Sequence, residues 1–199
     1  PMGLYVKGEL PDEECPTAAI IGARNCSEYG RQAAGFMGKE LARAGIQIVS
    51  GLALGIDGAG HEGALKGKGR TYGVLGCGVN ICYPRSNYDL YEAIPFQGGI
   101  LSEFGPDEEP MARNFPMRNR IISGLSDVIL IMEARKKSGS LITASLGLEQ
   151  GKEIFALPGR ITDDLSVGCN ELIQSGAGIL TSPEDVLDYM GIFHEKKCI

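Results

Sequence analysis

Asp127-Val128-Ile129-Leu130-Ile131-Met132 is a short apolar run with no polar alternation, as a parallel strand covered on both faces requires. A polar, glycine-containing loop follows, Glu133-Ala134-Arg135-Lys136-Lys137-Ser138-Gly139-Ser140. A helical pattern over 141–150 comes next, then a second strand-like run, Glu153-Ile154-Phe155-Ala156-Leu157. Toward the N-terminus the same order recurs. Ala18-Ala19-Ile20-Ile21, Ile46-Gln47-Ile48-Val49, Tyr72-Gly73-Val74-Leu75 and Gly99-Ile100-Leu101 read as strands. Helix-like stretches separate them at 31–44, 58–66, 87–93 and 117–125, with one more at 170–175. Ser182-Pro183-Glu184-Asp185 opens a last helix running to Tyr189, with an N-cap serine and proline at the first helical position. This alternation predicts an α/β fold built on a doubly wound, mostly parallel sheet. Residues 1–16 read as an N-terminal arm with a short strand at Leu4-Tyr5-Val6, and 17–199 as a single domain.

Right-handed crossovers place all strand-to-helix loops at one edge of such a sheet. Those loops are rich in glycine: Gly22-Ala23-Arg24-Asn25, residues 50–57, Gly76-Cys77-Gly78, Ser102-Glu103-Phe104-Gly105, Ser138-Gly139-Ser140 and Pro158-Gly159-Arg160. Backbone there can approach a phosphate closely. The stretch Asn114-Phe115-Pro116-Met117-Arg118-Asn119-Arg120-Ile121-Ile122-Ser123 adds two guanidinium forks and an aromatic at an expected loop-to-helix junction. Cations beside an exposed ring suit single-stranded nucleic acid, which offers a charged backbone and flat bases. Equally, Phe115 could be core and the arginines surface ion pairs. Arg24 ends the first core strand and points to the same edge. Arg135-Lys136-Lys137 before Ser138-Gly139-Ser140 suggests a phosphate cradle at a helix start, although Ser140 could instead only cap the helix.

Net charge is −6, which argues against indiscriminate nucleic-acid binding. Residues 113–137 hold six cations and two anions, and the rest of the chain 13 cations and 23 anions. One positive face on an acidic body is therefore expected. No apolar run approaches a membrane span and no leader pattern is present, so the expected location is cytoplasmic. The chain opens Pro1-Met2, which is not a translation start, and is expected to be a piece of a longer protein. Six cysteines (15, 26, 77, 82, 169 and 198) form no C-x-x-C pair and have only two histidines for company, so neither a metal site nor a disulfide framework is expected. Gly76-Cys77-Gly78 lacks the third glycine of a dinucleotide fingerprint, and no cofactor is expected from it. Asp57 and His61, four apart, could do acid–base work. The simpler account is that Asp57 caps a helix and His61 bonds back to it. No catalytic residue is expected.

Taken together, these segments resemble the DNA-processing protein A family (DprA, also Smf) from about Leu4 to Met190. The matching residues are Ile21-Gly22-Ala23-Arg24 with Tyr29-Gly30, 50–57 with His61, Gly76-Cys77-Gly78 with Tyr83-Pro84, and Ser102-Glu103. Further on they are 115–122, Glu133-Ala134 with Ser138-Gly139-Ser140, and Pro158-Gly159 with Gly168-Cys169-Asn170. The resemblance implies an extended Rossmann-like domain that binds single-stranded DNA. It implies protection of incoming DNA in natural transformation and help in loading the RecA recombinase, usually by a homodimer. It places Arg24, Phe115, Arg118, Asn119 and Arg120 at the DNA, and Lys137, Ser138, Gly139 and Ser140 beside it. The sequence departs from the family at Ala23, where serine is common, and at Gly60, where alanine is common; neither change removes a charge.

The alternative is a nucleotide-processing enzyme of the phosphoribohydrolase (lysine-decarboxylase-like) type. Its Pro-Gly-Gly-x-Gly-Thr motif is absent, since Arg160-Ile161 follows Pro158-Gly159. A third reading is a structural dimerisation module. A dimer interface is expected near the C-terminal end, where Ala177-Gly178-Ile179-Leu180 looks like an edge strand and Val186, Leu187 and Met190 form a helical stripe continued by Ile192-Phe193. The same stripe could instead pack on the domain's own sheet.

Overall fold

Apolar side chains in the expected runs are buried on both faces of one sheet, which is why these runs are strands. The computed structural model describes residues 1–192, so Phe193 and Cys198 lie outside it. The elements are β1 (Tyr5–Gly8), β2 (Thr17–Ile21), α1 (Glu28–Arg43), β3 (Gln47–Ser50), α2 (Ile56–Lys66), β4 (Thr71–Val74), α3 (Tyr88–Ala93), β5 (Gly98–Ser102), α4 (Asn114–Gly124), β6 (Val128–Ile131), α5 (Gly139–Glu149), β7 (Glu153–Ala156), α6 (Val167–Gln174), β8 (Gly178–Ile179) and α7 (Pro183–Tyr189). The sheet has eight strands in the order β1-β5-β4-β3-β2-β6-β7-β8. Only β1 runs antiparallel to its neighbour, with Tyr5 opposite Ser102.

Alternation along the two central strands sorts the core into layers. Ala18 and Ile20 of β2, with Val128 and Leu130 of β6, face α1, α2 and α7. Ala19 and Ile21, with Ile129 and Ile131, face α4, α5 and α6. A third cluster, including Leu75, Tyr91, Ile94 and Ile100, lies under α3. Each Val, Leu or Ile side chain among these, removed from water, contributes about 1.5–3 kcal/mol.

Helices α1, α4 and α6 each begin three residues earlier than the pattern predicts. Ser27 caps α1, its Oγ accepting from the Gly30 N–H at 3.0 Å. The buried Glu133 carboxylate in turn accepts from the Ser27 amide and hydroxyl. Helix α4 begins at Asn114, so Phe115 and Pro116 lie inside its first turn. Proline there removes only an amide that has no intrahelical acceptor.

The C-terminal stripe packs at home. Val186 and Leu187 are buried in the domain's own core with Leu180, and Met190 and Ile192 rest against it. The expectation that this stripe forms a dimer interface is corrected accordingly.

Candidate functional site

Strand order reverses at β2, with β3, β4 and β5 following on one side and β6 and β7 on the other. The loops leaving the two sides diverge there and open a crevice. A basin of about 480 Å³ occupies it, lined by Gly22, Ala23 and Arg24 after β2, by Ala53 after β3, by Tyr83 in the loop that follows β4, and by the first turns of α4 and α5. Gly55 lets two of these loops meet. Its φ is +76°, and a Cβ there would lie 2.4 Å from the Ala23 and Arg24 carbonyl oxygens.

Phe115 is half-buried at the centre of this edge. Its ring fills the space beside Gly76, where a Cβ would come within 2.7 Å of it. The exposed Arg24 holds its guanidinium carbon 5.3 Å from the ring centroid, and Arg118 lies at 6.0 Å. Tyr83 completes the group, its ring 5.5 Å from that of Phe115 and tilted by 36°. Tyr83 stands among the family-matching residues but was given no site role from the sequence; its signal was an aromatic seven residues after Gly76 in the loop that follows β4.

Arg118 is not the exposed fork that was expected. It is buried, with Nη1 donating to the carbonyls of Gly51 (2.9 Å) and Val74 and Nε donating to Asn119 Oδ1 (3.1 Å). It forms part of the basin floor, tying the ends of β3 and β4 to α4. Burial draws its pKa down to about 10. Asn119 lines the basin and spans to α5, its Nδ2 donating to the Gly139 carbonyl at 3.5 Å.

Arg120 is not brought to the basin. It points to the end of β5 and pairs with Glu103. The expected positive face is likewise corrected, because three of its six cations are held in ion pairs and Arg118 is buried. Arg135 pairs with Asp164 at 3.3 Å and Lys136 with Glu171 at 3.4 Å. Lys137 is exposed and lies outside the basin lining, next to Ser138. Ser138, Gly139 and Ser140 do line it. Ser138, not Ser140, occupies the N-cap position of α5, and its hydroxyl is 2.6 Å from that of Ser140 instead of capping the helix. The first turn of α5 therefore faces the basin without a side-chain cap.

Asp57 and His61 do not bond to each other. Gly55 is the N-cap of α2, while Asp57 Oδ2 accepts from the Gly51 amide at 3.0 Å. Burial raises the Asp57 pKa, with the Arg118 charge opposing that shift. His61 is fully buried with Nδ1 2.7 Å from the Thr71 hydroxyl, and burial lowers its pKa to about 3. An imidazole that stays neutral and enclosed cannot exchange protons with a ligand in the basin. Among the described residues no cluster of His, Cys, Asp and Glu could hold a metal ion, and no helix is long and apolar enough to cross a membrane.

The whole described fold has relatives. Residues 1–191 match the family model of DNA recombination-mediator protein A. The chain is 44% identical to DNA processing protein DprA of Streptococcus pneumoniae over 187 residues, 94% of this chain and 66% of that protein. It is 47% identical to protein Smf of Escherichia coli over 189 residues, 94% of this chain and 50% of the relative. It thus spans about half to two thirds of the length of these curated relatives. The X-ray structure of the S. pneumoniae protein superposes with a TM-score of 0.89, covering 93% of this chain and 65% of that one. DNA processing protein A of Helicobacter pylori superposes with a TM-score of 0.84 at 34% identity, covering 96% and 88%. That structure describes the relative's single-stranded DNA binding mode.

Proposed function

We propose, because the chain belongs to the DNA recombination-mediator protein A family, that its basin holds a short run of single-stranded DNA. The observation that carries this is the convergence of Arg24, the Phe115–Tyr83 aromatic pair and the uncapped first turn of α5 on one crevice. Each supplies one element of strand recognition. The Arg24 guanidinium is exposed and can fork onto a phosphate. The helix start offers free N–H groups and a partial positive charge to a second phosphate. The rings offer flat surface to a base without asking which base it is. Asn119, Ser138, Gly139 and Ser140 stand within the same lining, with Lys137 beside it, and Arg118 holds the floor.

In this reading the protein is a non-catalytic, cytoplasmic DNA-processing protein. It protects incoming strands and helps load RecA during natural transformation, as a homodimer. The relative from H. pylori supports the strand-binding part. Fluorescence anisotropy of a labelled oligothymidylate tests it, with free nucleoside monophosphates as competitors. Arg24→Ala is expected to weaken binding and to flatten the log–log salt dependence by about 0.7, the contribution of one phosphate on a single strand. An unchanged isotherm, or displacement by mononucleotides with release of free base, would instead favour the phosphoribohydrolase alternative.

A further inference from the structure

We infer that Asn87 is a positioning residue of this crevice: without touching the ligand, it ties the loop after β3 to the loop after β4 and so fixes the spacing of that side of the basin. This rests on the reading of the basin as a single-strand site. Asn87 occupies the N-cap position of α3, where asparagine ordinarily accepts a bond from its own helix. Here its side chain makes no such bond. It turns the other way, and Nδ2 donates to the carbonyls of Leu52 and Ala53, at 3.0 Å each, 35 and 34 positions away. Two carbonyl acceptors require the amide nitrogen to face them, since the amide oxygen has no proton to give. The Asn87 backbone N–H donates to Pro84 O at 3.1 Å. One residue thus holds both loops, and it forgoes a local cap to do so.

The turn it holds is strained. Leu52 has a φ of +54°, a left-handed conformation unfavourable for leucine. Its side chain is fully buried with Leu75 and Ile94. Gly51, just before it, is fixed by Arg118 and Asp57, and the next two carbonyls turn toward Asn87. Ala53 O also accepts from the Gly58 amide. Freed from Asn87, Leu52 can leave this conformation and carry Ala53 and Leu54 with it. Ala53 lines the basin and, with Leu54, a smaller hollow of about 60 Å³; Tyr83, beside Pro84, borders both. Asn87 lines neither. Walls already at their working spacing spare the complex the ordering that binding would otherwise require.

The experiment titrates wild type, Asn87→Ala, Asn87→Ser and Arg24→Ala with oligothymidylate. Serine caps a helix about as well as asparagine does, but its single hydroxyl proton cannot serve two carbonyls. Both Asn87 variants are expected to bind about 5- to 30-fold more weakly, the ordering of about one backbone residue. Their log–log salt slope is expected to match wild type, since no phosphate contact is lost. The chain contains no tryptophan, so Leu54→Trp reports on this loop alone. Without DNA, acrylamide is expected to quench its indole more strongly once Asn87→Ser is added. Asn87→Ser decides even if Asn87→Ala folds poorly. Wild-type affinity in Asn87→Ser, or an indole no more accessible, would reduce Asn87 to a helix cap. A salt slope lowered as in Arg24→Ala would make it a strand contact. Each of these overturns the positioning role and leaves the basin reading standing on Arg24→Ala. No binding by wild type would overturn both.

Discussion

Arg118 and Arg120 are two residues apart in a helix, so their side chains leave it about 200° apart. Both could not have faced one pocket once α4 began at Asn114. The sequence shows two forks; the helix start decides which goes inward. Arg118 goes inward, where its charge is compensated by Asp57 and backbone carbonyls. Arg118→Met is expected to cost about 3–5 kcal/mol in urea unfolding, because it strands a buried carboxylate. Arg118→Lys is expected to recover little, since a point charge cannot span the Gly51 and Val74 carbonyls and Asn119 together. Unfolding midpoints equal to wild type would show that Arg118 is not a keystone. His61 gives a pH signature. Its pKa of about 3 when folded lies below the ordinary 6.5. The unfolded chain therefore takes up a proton that the folded one refuses as pH falls. This part of the stability is complete above about pH 6.5 and shrinks by about 1.4 kcal/mol per pH unit toward pH 3. Denaturation curves of wild type and His61→Gln should converge as pH falls; parallel curves would mean that the imidazole is reachable by solvent protons.

Strands were legible as elements because burial on both faces leaves an unmistakable composition, and every expected core strand is present. Helix starts were less so. That of α1 depends on Ser27 and on Glu133, 106 positions away, which no local pattern reveals. The α7 stripe shows a similar gap: amphipathicity announces that a face is covered, not by what. Contact between α1 and α2 is set by glycine. A Cβ on Gly63 would meet the Gly35 carbonyl oxygen at 2.2 Å, and one on Gly38 the Gly60 oxygen at 2.4 Å. Backbone cannot yield as a side chain does. Gly63→Ala is therefore expected to destabilise by about 1–3 kcal/mol. At Gly35 a Cβ finds its nearest atom at 3.7 Å. Gly35→Ala is expected to be neutral or stabilising by up to about 1 kcal/mol, through helix propensity. Thermal unfolding of the two variants side by side checks the contrast, and equal shifts would refute it.

At the scale of the molecule, the edge carrying the site was legible from topology alone, but the charge balance misled. Counting cations along 113–137 could not foresee that Glu103, Asp164 and Glu171, all outside that window, would partner three of them. Homodimer formation, part of the proposed function, needs a different surface from the α7 stripe. Among the described residues, the edge of β8 has no strand partner, and Ile179 and Tyr189 beside it are each more than half exposed. Light scattering coupled to size exclusion should give twice the chain mass for wild type. Ile179→Lys is expected to shift it toward the monomer with the fold intact, whereas Leu187→Lys is expected to unfold the domain. A dimer that survives Ile179→Lys would place the contact elsewhere. The reversal of strand order also sets a timetable. Thr17 at the start of β2 is joined to Asp127 beside β6, a separation of 110 residues. At ordinary rates of synthesis roughly 5–20 s pass between the appearance of these two partners at the ribosome. Until then β2 has a neighbour on one side only, and α5, which forms one wall of the basin, does not yet exist. A nascent chain can thus assemble β2 through β5 early, yet its capacity to hold a ligand arrives late and all at once.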